Sequence, residues 1–204
     1  MSEKKQHWET VFTTKAENEV SWYQNEPKTS IQLIQACKVA KDAKIIDIGG
    51  GDSYLIDSLL DLGYTNLFLL DISTAAIERA KKRLGDKAKN VTFIVSDSLH
   101  FQSDEKFDIW HDRASFHFFT EANDIEQYKA NVIANTNQNA HFIIGTFSED
   151  GPLKCSGLPI TQYSVEKMEA VFSDDFELEN CFTEDHETPF DTVQNFIFCH
   201  NKKS

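Results

Sequence analysis

The chain has 204 residues, 40% of them hydrophobic and 26% charged, without a repetitive or biased stretch; that suits one domain with a substantial core and excludes a disordered or fibrous protein. Asp and Glu number 33 against 20 Lys and Arg, a net charge of −13, and so acidic a surface repels phosphate backbones and anionic lipid heads, so neither nucleic acid nor membrane is an expected partner. The opening "MSEKKQHWET" has no apolar leader and no later segment approaches the ~20 apolar residues of a membrane span, so a cytoplasmic location is expected.

Residues 1–43 precede the first strand-like run. They hold the large aromatics Trp8, Phe12, Trp22 and Tyr23 and one helix pattern, "TSIQLIQACKVA", and are expected to lie as a cap over the carboxyl ends of a sheet. From residue 44 short apolar runs alternate with amphipathic stretches: strands over 44–49, 66–72, 91–97, 107–112 and 140–147, and helical patterns ending at Gly63 and Gly85 and over 124–136. That alternation predicts an α/β fold, a parallel sheet with helices on both faces. After the Gly/Pro-containing loop "SEDGPLKCSGLP" comes a helix that Ser164 can cap, then two strand-like runs with no helix between them. These should pair antiparallel as a C-terminal hairpin at one sheet edge. The expected organisation is a single domain over 1–204: cap 1–43, core 44–147, and helix plus hairpin 148–204. The cysteines Cys37, Cys155, Cys181 and Cys199 are scattered, with no C-x-x-C pair. A disulfide framework and a metal site are therefore not expected, and a reducing compartment is.

Between the first strand and the helix after it stands "DIGGGDS", an acid followed by three glycines. In an open parallel sheet ligands bind beyond the carboxyl ends of the strands, and glycine lets backbone approach a ligand closer than a Cβ allows. A dinucleotide fingerprint would need a third glycine where Tyr54 stands, and a phosphate loop would need G-K-[ST], which is absent. What remains is a nucleoside-like ligand without phosphates. Asp71, at the end of the second strand, can accept both hydroxyls of a ribose, or can cap the helix that follows. Asp97, at the end of the third, can accept from an exocyclic amine.

The segments "IIDIGGGDS", "LLDIS", "SDSL" and "FDIWHDR", in this order and spacing, resemble the class I S-adenosylmethionine-dependent methyltransferases over residues 44–147. The resemblance implies a Rossmann-like three-layer sandwich, with a mostly parallel seven-stranded sheet and an antiparallel C-terminal hairpin strand, and S-adenosylmethionine as cofactor. It implies that Asp47, Gly49, Gly50 and Gly51 hold the methionine end, with His111 beside them; Asp71 and Ile72 the ribose; Asp97 and Ser98 the adenine. One departure is visible, because the family's third loop glycine is Ser53 here.

The methyl acceptor should sit near "FDIWHDRASFHFF", which makes Asp112, Arg113 and His117 the candidate catalytic residues. An internal Asp112–Arg113 ion pair and a merely packed His117 are the alternatives. Trp22, Tyr23 and Gln24 either wall a substrate pocket or simply close the sheet, and Cys155 either meets a soft substrate or is a buried loop thiol. The N-terminal W-E, the aromatic–Gln pair and the "DR" after the fourth strand are similar to thiopurine and thiol S-methyltransferases, while a W-x-x-x-[YF] opening also occurs in some protein lysine methyltransferases of this fold. "HDRA" stands where enzymes acting on nucleobase amines carry N/D-P-P-[YF]. The sequence thus points to methylation of a small molecule at sulfur or another soft atom; the alternatives are a protein lysine substrate and a non-catalytic S-adenosylmethionine-binding module.

Overall fold

Seven strands run in the order β3-β2-β1-β4-β5-β9-β8 in the structure, a computed structural model that describes residues 2–204. The strands β1 (Lys44–Ile48), β2 (Asn66–Asp71), β3 (Val91–Val95), β4 (Phe107–Arg113) and β5 (Thr136–Phe147) are mutually parallel, and β9 (Val193–Lys203) runs antiparallel between β5 and the edge strand β8 (Phe176–Glu187). The order reverses at β1/β4, which places the open ends of these two strands at a natural ligand crevice.

Successive side chains of a strand face opposite layers, so each central strand feeds two cores. On one face Trp110, Phe107 and Phe142 pack against Tyr128 and Val132 of α5 (Ala122–Asn135) and Met168 and Phe172 of α6 (Val165–Phe172). On the other, Ile45, Leu69 and Ile109 meet α2 (Lys28–Ala36), α3 (Leu55–Asp61) and α4 (Thr74–Leu84) through Ile34, Leu59 and Ile77. This is the expected Rossmann-like sandwich, and Ser164 caps α6 as its position suggests, its hydroxyl accepting from Lys167 N. No helix among the described residues is long and apolar enough to cross a membrane.

Three expectations are corrected. The N-terminal segment holds a second helix, α1 (Glu3–Thr14), capped by Ser2; its apolar residues Trp8, Val11 and Phe12 are spaced for one helical stripe but are few among polar neighbours, which hid the period. β3 stops at Val95, so Asp97 lies in the loop beyond it. Cys181 and Cys199, 18 residues apart, are register partners across the hairpin and form a disulfide. Sequence spacing carried no sign of that pairing, because it follows from the hairpin's register rather than from any cysteine motif. The Gly/Pro-containing loop also contains a two-stranded piece, β6 (Lys154–Cys155) with β7 (Leu158–Pro159).

Candidate active site at the carboxyl ends of the strands

The loop after β1 is built around a buried pair. Asp47 and His111 are opposite each other on adjacent parallel strands, and His111 Nδ1 donates to Asp47 Oδ1 at 2.7 Å while the Ser30 hydroxyl of α2 meets His111 Nε2 at 2.9 Å. The second Asp47 oxygen is buried and has no partner among the described residues. It lies so near the Gly50 Cα that a Cβ there would overlap it. Gly51 adopts φ +53°, and a Cβ on it would come within 2.9 Å of the Phe12 ring, so neither position admits a side chain without displacement.

Where Ser53 replaces the third glycine, α4 steadies the loop from outside. Arg83 donates to the carbonyls of Asp52 at 2.5 Å and Ser53 at 2.7 Å, pairs with Asp57 at 2.8 Å, and lies over the Tyr54 ring. Arg79 pairs with Asp52 at 3.1 Å. These two bases, four residues apart on one helix face, are functional neighbours that motif reading passed over.

Asp71 ends β2 with 4% of its surface exposed. Burial, reinforced by Asp52 and Asp47, raises its carboxyl to about 7 despite a 2.7 Å bond from Ser73 N. It does not cap α4. That task falls to Ser73, which accepts from Ala76 N, and to Glu9 of α1, which accepts from Thr74 N at 2.6 Å and Ala75 N at 3.0 Å. Asp97 Oδ1 accepts from Leu99 N, and Asn131 of α5 donates to the carbonyls of Ser98 and Leu99, tying this loop to α5.

Asp71, Ile72, Asp97, Ser98 and Gly49 help line a cavity of about 280 Å³. Much of the remaining lining comes from distant segments: Lys4, Trp8 and Phe12 of α1, Trp22, Phe118 and Phe119, and Leu158 and Pro159 of β7. Trp8 packs edge-on to both Trp22 and Phe118. Tyr23 and Gln24 line instead a narrower cleft of about 50 Å³ shared with Asp47, His111 and the glycine loop. Trp22, Phe12, Gly49 and Arg113 border both spaces.

Asp112 and Arg113 are consecutive on β4 and so face opposite layers; they form no ion pair. Arg113 turns to the cavity, where it donates to Trp22 O at 3.0 Å and lies 4.6 Å over the Phe196 ring. Its Nε and one terminal nitrogen are buried with no partner among the described residues. Burial lowers it to about 10, partly offset by Glu184, so it stays cationic at neutral pH. Asp112 is fully buried on the other layer, accepting from Ser115 N, Phe116 N and the Tyr128 hydroxyl, which in turn accepts from Trp110 Nε1. His117 is also fully buried and stacks on Phe147 at 4.5 Å, and burial followed by Arg113 lowers it to about 3. Neither Asp112 nor His117 lines the cavity or the cleft. Cys155 is a buried thiol, raised to about 12 by burial, and lines neither space.

The arrangement fits S-adenosylmethionine on the protein's own features. Asp71 has an oxygen facing the glycine loop, the orphaned oxygen of Asp47 can accept from an ammonium, and Gly50 and Gly51 clear the backbone for close approach. Residues 40–195 match the family described as "Methyltransferase domain". The mouse eEF1A lysine and N-terminal methyltransferase is 26% identical over 98 residues, which cover 47% of this chain and 14% of that protein; the chain spans only that fraction of its curated relative. A protein whose structure was reported for conversion of a disulfide bond into a thioacetal group during echinomycin biosynthesis superposes with a TM-score of 0.80 at 18% identity, covering 98% of this chain and 93% of that one. The N-methyltransferase NodS of Bradyrhizobium japonicum WM9, in complex with S-adenosyl-L-homocysteine, does so with a TM-score of 0.74 at 12% identity over 99% of both chains. At these identities the likeness is one of fold.

Proposed function

This chain belongs to the methyltransferase domain family and uses S-adenosylmethionine, and from that premise we propose that it methylates a small-molecule acceptor, neutral or anionic, at sulfur or another soft atom. The observation that carries the proposal is the charge around the cavity. Among the described residues, apart from the carboxylates Asp71 and Asp97, assigned to the donor, the ionic groups lining it are Lys4 and Arg113, both cations. A protonated lysine entering there would be repelled, whereas an acceptor with a carboxylate would be drawn toward Lys4 and Arg113.

When bound, S-adenosylmethionine supplies an electrophilic methyl on a sulfonium. In this reading Asp71 holds the ribose hydroxyls, Asp97 and Ser98 the adenine, and Asp47 with the loop from Gly49 to Gly51 the methionine end, steadied from behind by His111 and Ser30. Trp8, Trp22, Phe118 and Phe119 exclude water and offer ring faces that suit a cationic sulfur. Arg113 orients the acceptor for in-line attack, which is most of what such a displacement needs. Asp112 shapes the turn beyond β4 through its two backbone N–H partners, and His117 stacks on Phe147. Neither lines the cavity, so neither is placed to take a proton; a thiol acceptor would react as its thiolate, its proton passing to solvent before the methyl is transferred. Tyr23 and Gln24 border the methionine end rather than the acceptor.

The rival reading is a protein lysine substrate, which the aromatic wall and the name of the mouse relative favour. Incubation of the purified chain with methyl-labelled S-adenosylmethionine and a panel of thiols, with and without a carboxylate, and basic peptides separates the two. Label on the thiols is the expected result. Label on peptide lysines alone transfers the assignment to the rival, and micromolar donor binding without any transfer leaves a binding module.

A further inference from the structure

At the opposite end of the sheet from the cavity, three donor atoms from distant parts of the chain converge. Cys37 closes α2, His141 lies in the first half of β5, and His200 lies on the neighbouring β9. Cys37 Sγ is 3.5 Å from His200 Nε2, and that nitrogen is 2.8 Å from His141 Nδ1. All three ligand atoms lie within 4.8 Å of one another. Behind them Glu179, at the β-bulge of β8, places a carboxylate oxygen 3.5 Å from His200 Nδ1.

We infer that Cys37, His141 and His200 bind a Zn²⁺ ion, with Glu179 orienting His200 from behind. Zinc takes thiolate at about 2.3 Å and imidazole at about 2.0 Å in a tetrahedron, whose sulfur–nitrogen edge is then roughly 3.5 Å and whose nitrogen–nitrogen edge is somewhat over 3 Å. Of the two sulfur–nitrogen edges, the one to His200 is present as the chain stands and the one to His141 lies within 4.8 Å, while the nitrogen–nitrogen edge needs the two rings to part by about half an ångström. One thiolate and two imidazoles form a borderline-soft set that suits zinc better than magnesium or calcium. A carboxylate on the far nitrogen of a ligating histidine fixes its tautomer and raises its basicity. Binding releases the Cys37 thiol proton to solvent and leaves one coordination position for water. The ion ties the C-terminal end of α2 to β5 and β9; the first half of the same helix supplies Ser30 to His111. It is therefore a clasp on the helix that backs the glycine loop, remote from the methyl group.

The bland reading is that one N–H shared between His141 and His200 satisfies both rings and the thiol only packs. Metal titration decides. The full chain, stripped with chelator, is titrated with Zn²⁺ against a chromophoric competitor and separately with Co²⁺. One ion per chain is expected, with a thiolate-to-cobalt charge-transfer band in the near ultraviolet, and a rise in Tm on zinc addition. Cys37→Ser and His200→Gln should each weaken binding by more than about tenfold, and Glu179→Gln by about tenfold, while Cys181→Ser/Cys199→Ser keeps full affinity. Absence of stoichiometric uptake, or uptake unchanged in Cys37→Ser and His200→Gln, overturns the inference. Should those variants fail to melt cooperatively, the cobalt spectrum of the unaltered chain stands alone, and a spectrum lacking the thiolate band overturns it equally.

Discussion

The two walls of the cavity are built in different ways. The wall proposed for the donor comes from the ends of β1, β2 and β3 and the short loops after them, so each of its residues sits within a few positions of its strand. The wall proposed for the acceptor is collected from α1, the segment around Trp22, the turn after β4 and β7, which the sequence separates by more than a hundred residues. A site assembled from consecutive strand ends can be specified by local spacing. One assembled across the fold depends on tertiary packing, and its chemistry can change while the donor wall stays the same.

Substitutions that strike one wall and spare the other test that division, and the largest effect is expected at the donor wall. Asp71→Ala should weaken S-adenosylmethionine binding by about a hundredfold, the loss of two hydrogen bonds to a carboxylate in a buried setting; calorimetry showing less than a twofold change would remove the ribose from Asp71. Arg113→Gln is the acceptor-side counterpart. It should raise KM for a carboxylate-bearing acceptor by roughly tenfold or more with donor affinity within about a factor of two, and equal losses on both would mean that Arg113 belongs to the donor.

A pH series sharpens the same contrast. With the Asp71 carboxyl raised to about 7 in the free protein, ribose hydroxyls bind the ionised form, so affinity is retained above that value and lost as the pH falls through it. The donor Kd should rise about tenfold from pH 8 to pH 6, and Asp71→Asn should flatten the profile. A slope that persists in Asp71→Asn places the titration elsewhere. At the hinge between the walls, Glu9→Ala removes the acceptor of two N–H groups of α4 and should cost about 1 kcal/mol, a fall in Tm of about 2–4 °C for a chain of this size. An unchanged melt would mean that Ser73 alone caps the helix.

The smallest effect is expected from His117→Phe, with turnover within roughly twofold. Burial holds His117 neutral with a pKa of about 3, below its ordinary 6.5. A base depressed in this way contributes stability above pH 6.5 that is lost as the pH falls toward 3, and the phenylalanine variant should lose less on acidification. Abolished turnover would return His117 to the chemistry.

How much the sequence disclosed follows the same line between the walls. The parallel sheet, the hairpin edge and the placement of Asp71, Ser98 and the glycines were legible because hydrophobic period and turn residues are local signals. The "HDR" triplet was legible as a location but not as a set of roles: alternation along β4 sends Asp112 to one layer and Arg113 to the other, and the sequence does not say which layer holds the ligand. Arg79, Arg83, Glu9 and Asn131 escaped notice because exposed-looking charges and amides on helices carry no mark of the loops they will grip. The Cys181–Cys199 pair escaped because hairpin register, one residue either way, decides whether two cysteines meet.

β8 ends the sheet, and an unpaired strand edge is an invitation to further pairing. Along that strand stand Glu177, Glu179, Glu184, Asp185 and Glu187, so a second copy docking edge to edge would set these carboxylates against its own. In a chain of net charge −13 that repulsion makes the open edge a safeguard against aggregation, strongest in dilute salt and weakened as ionic strength rises.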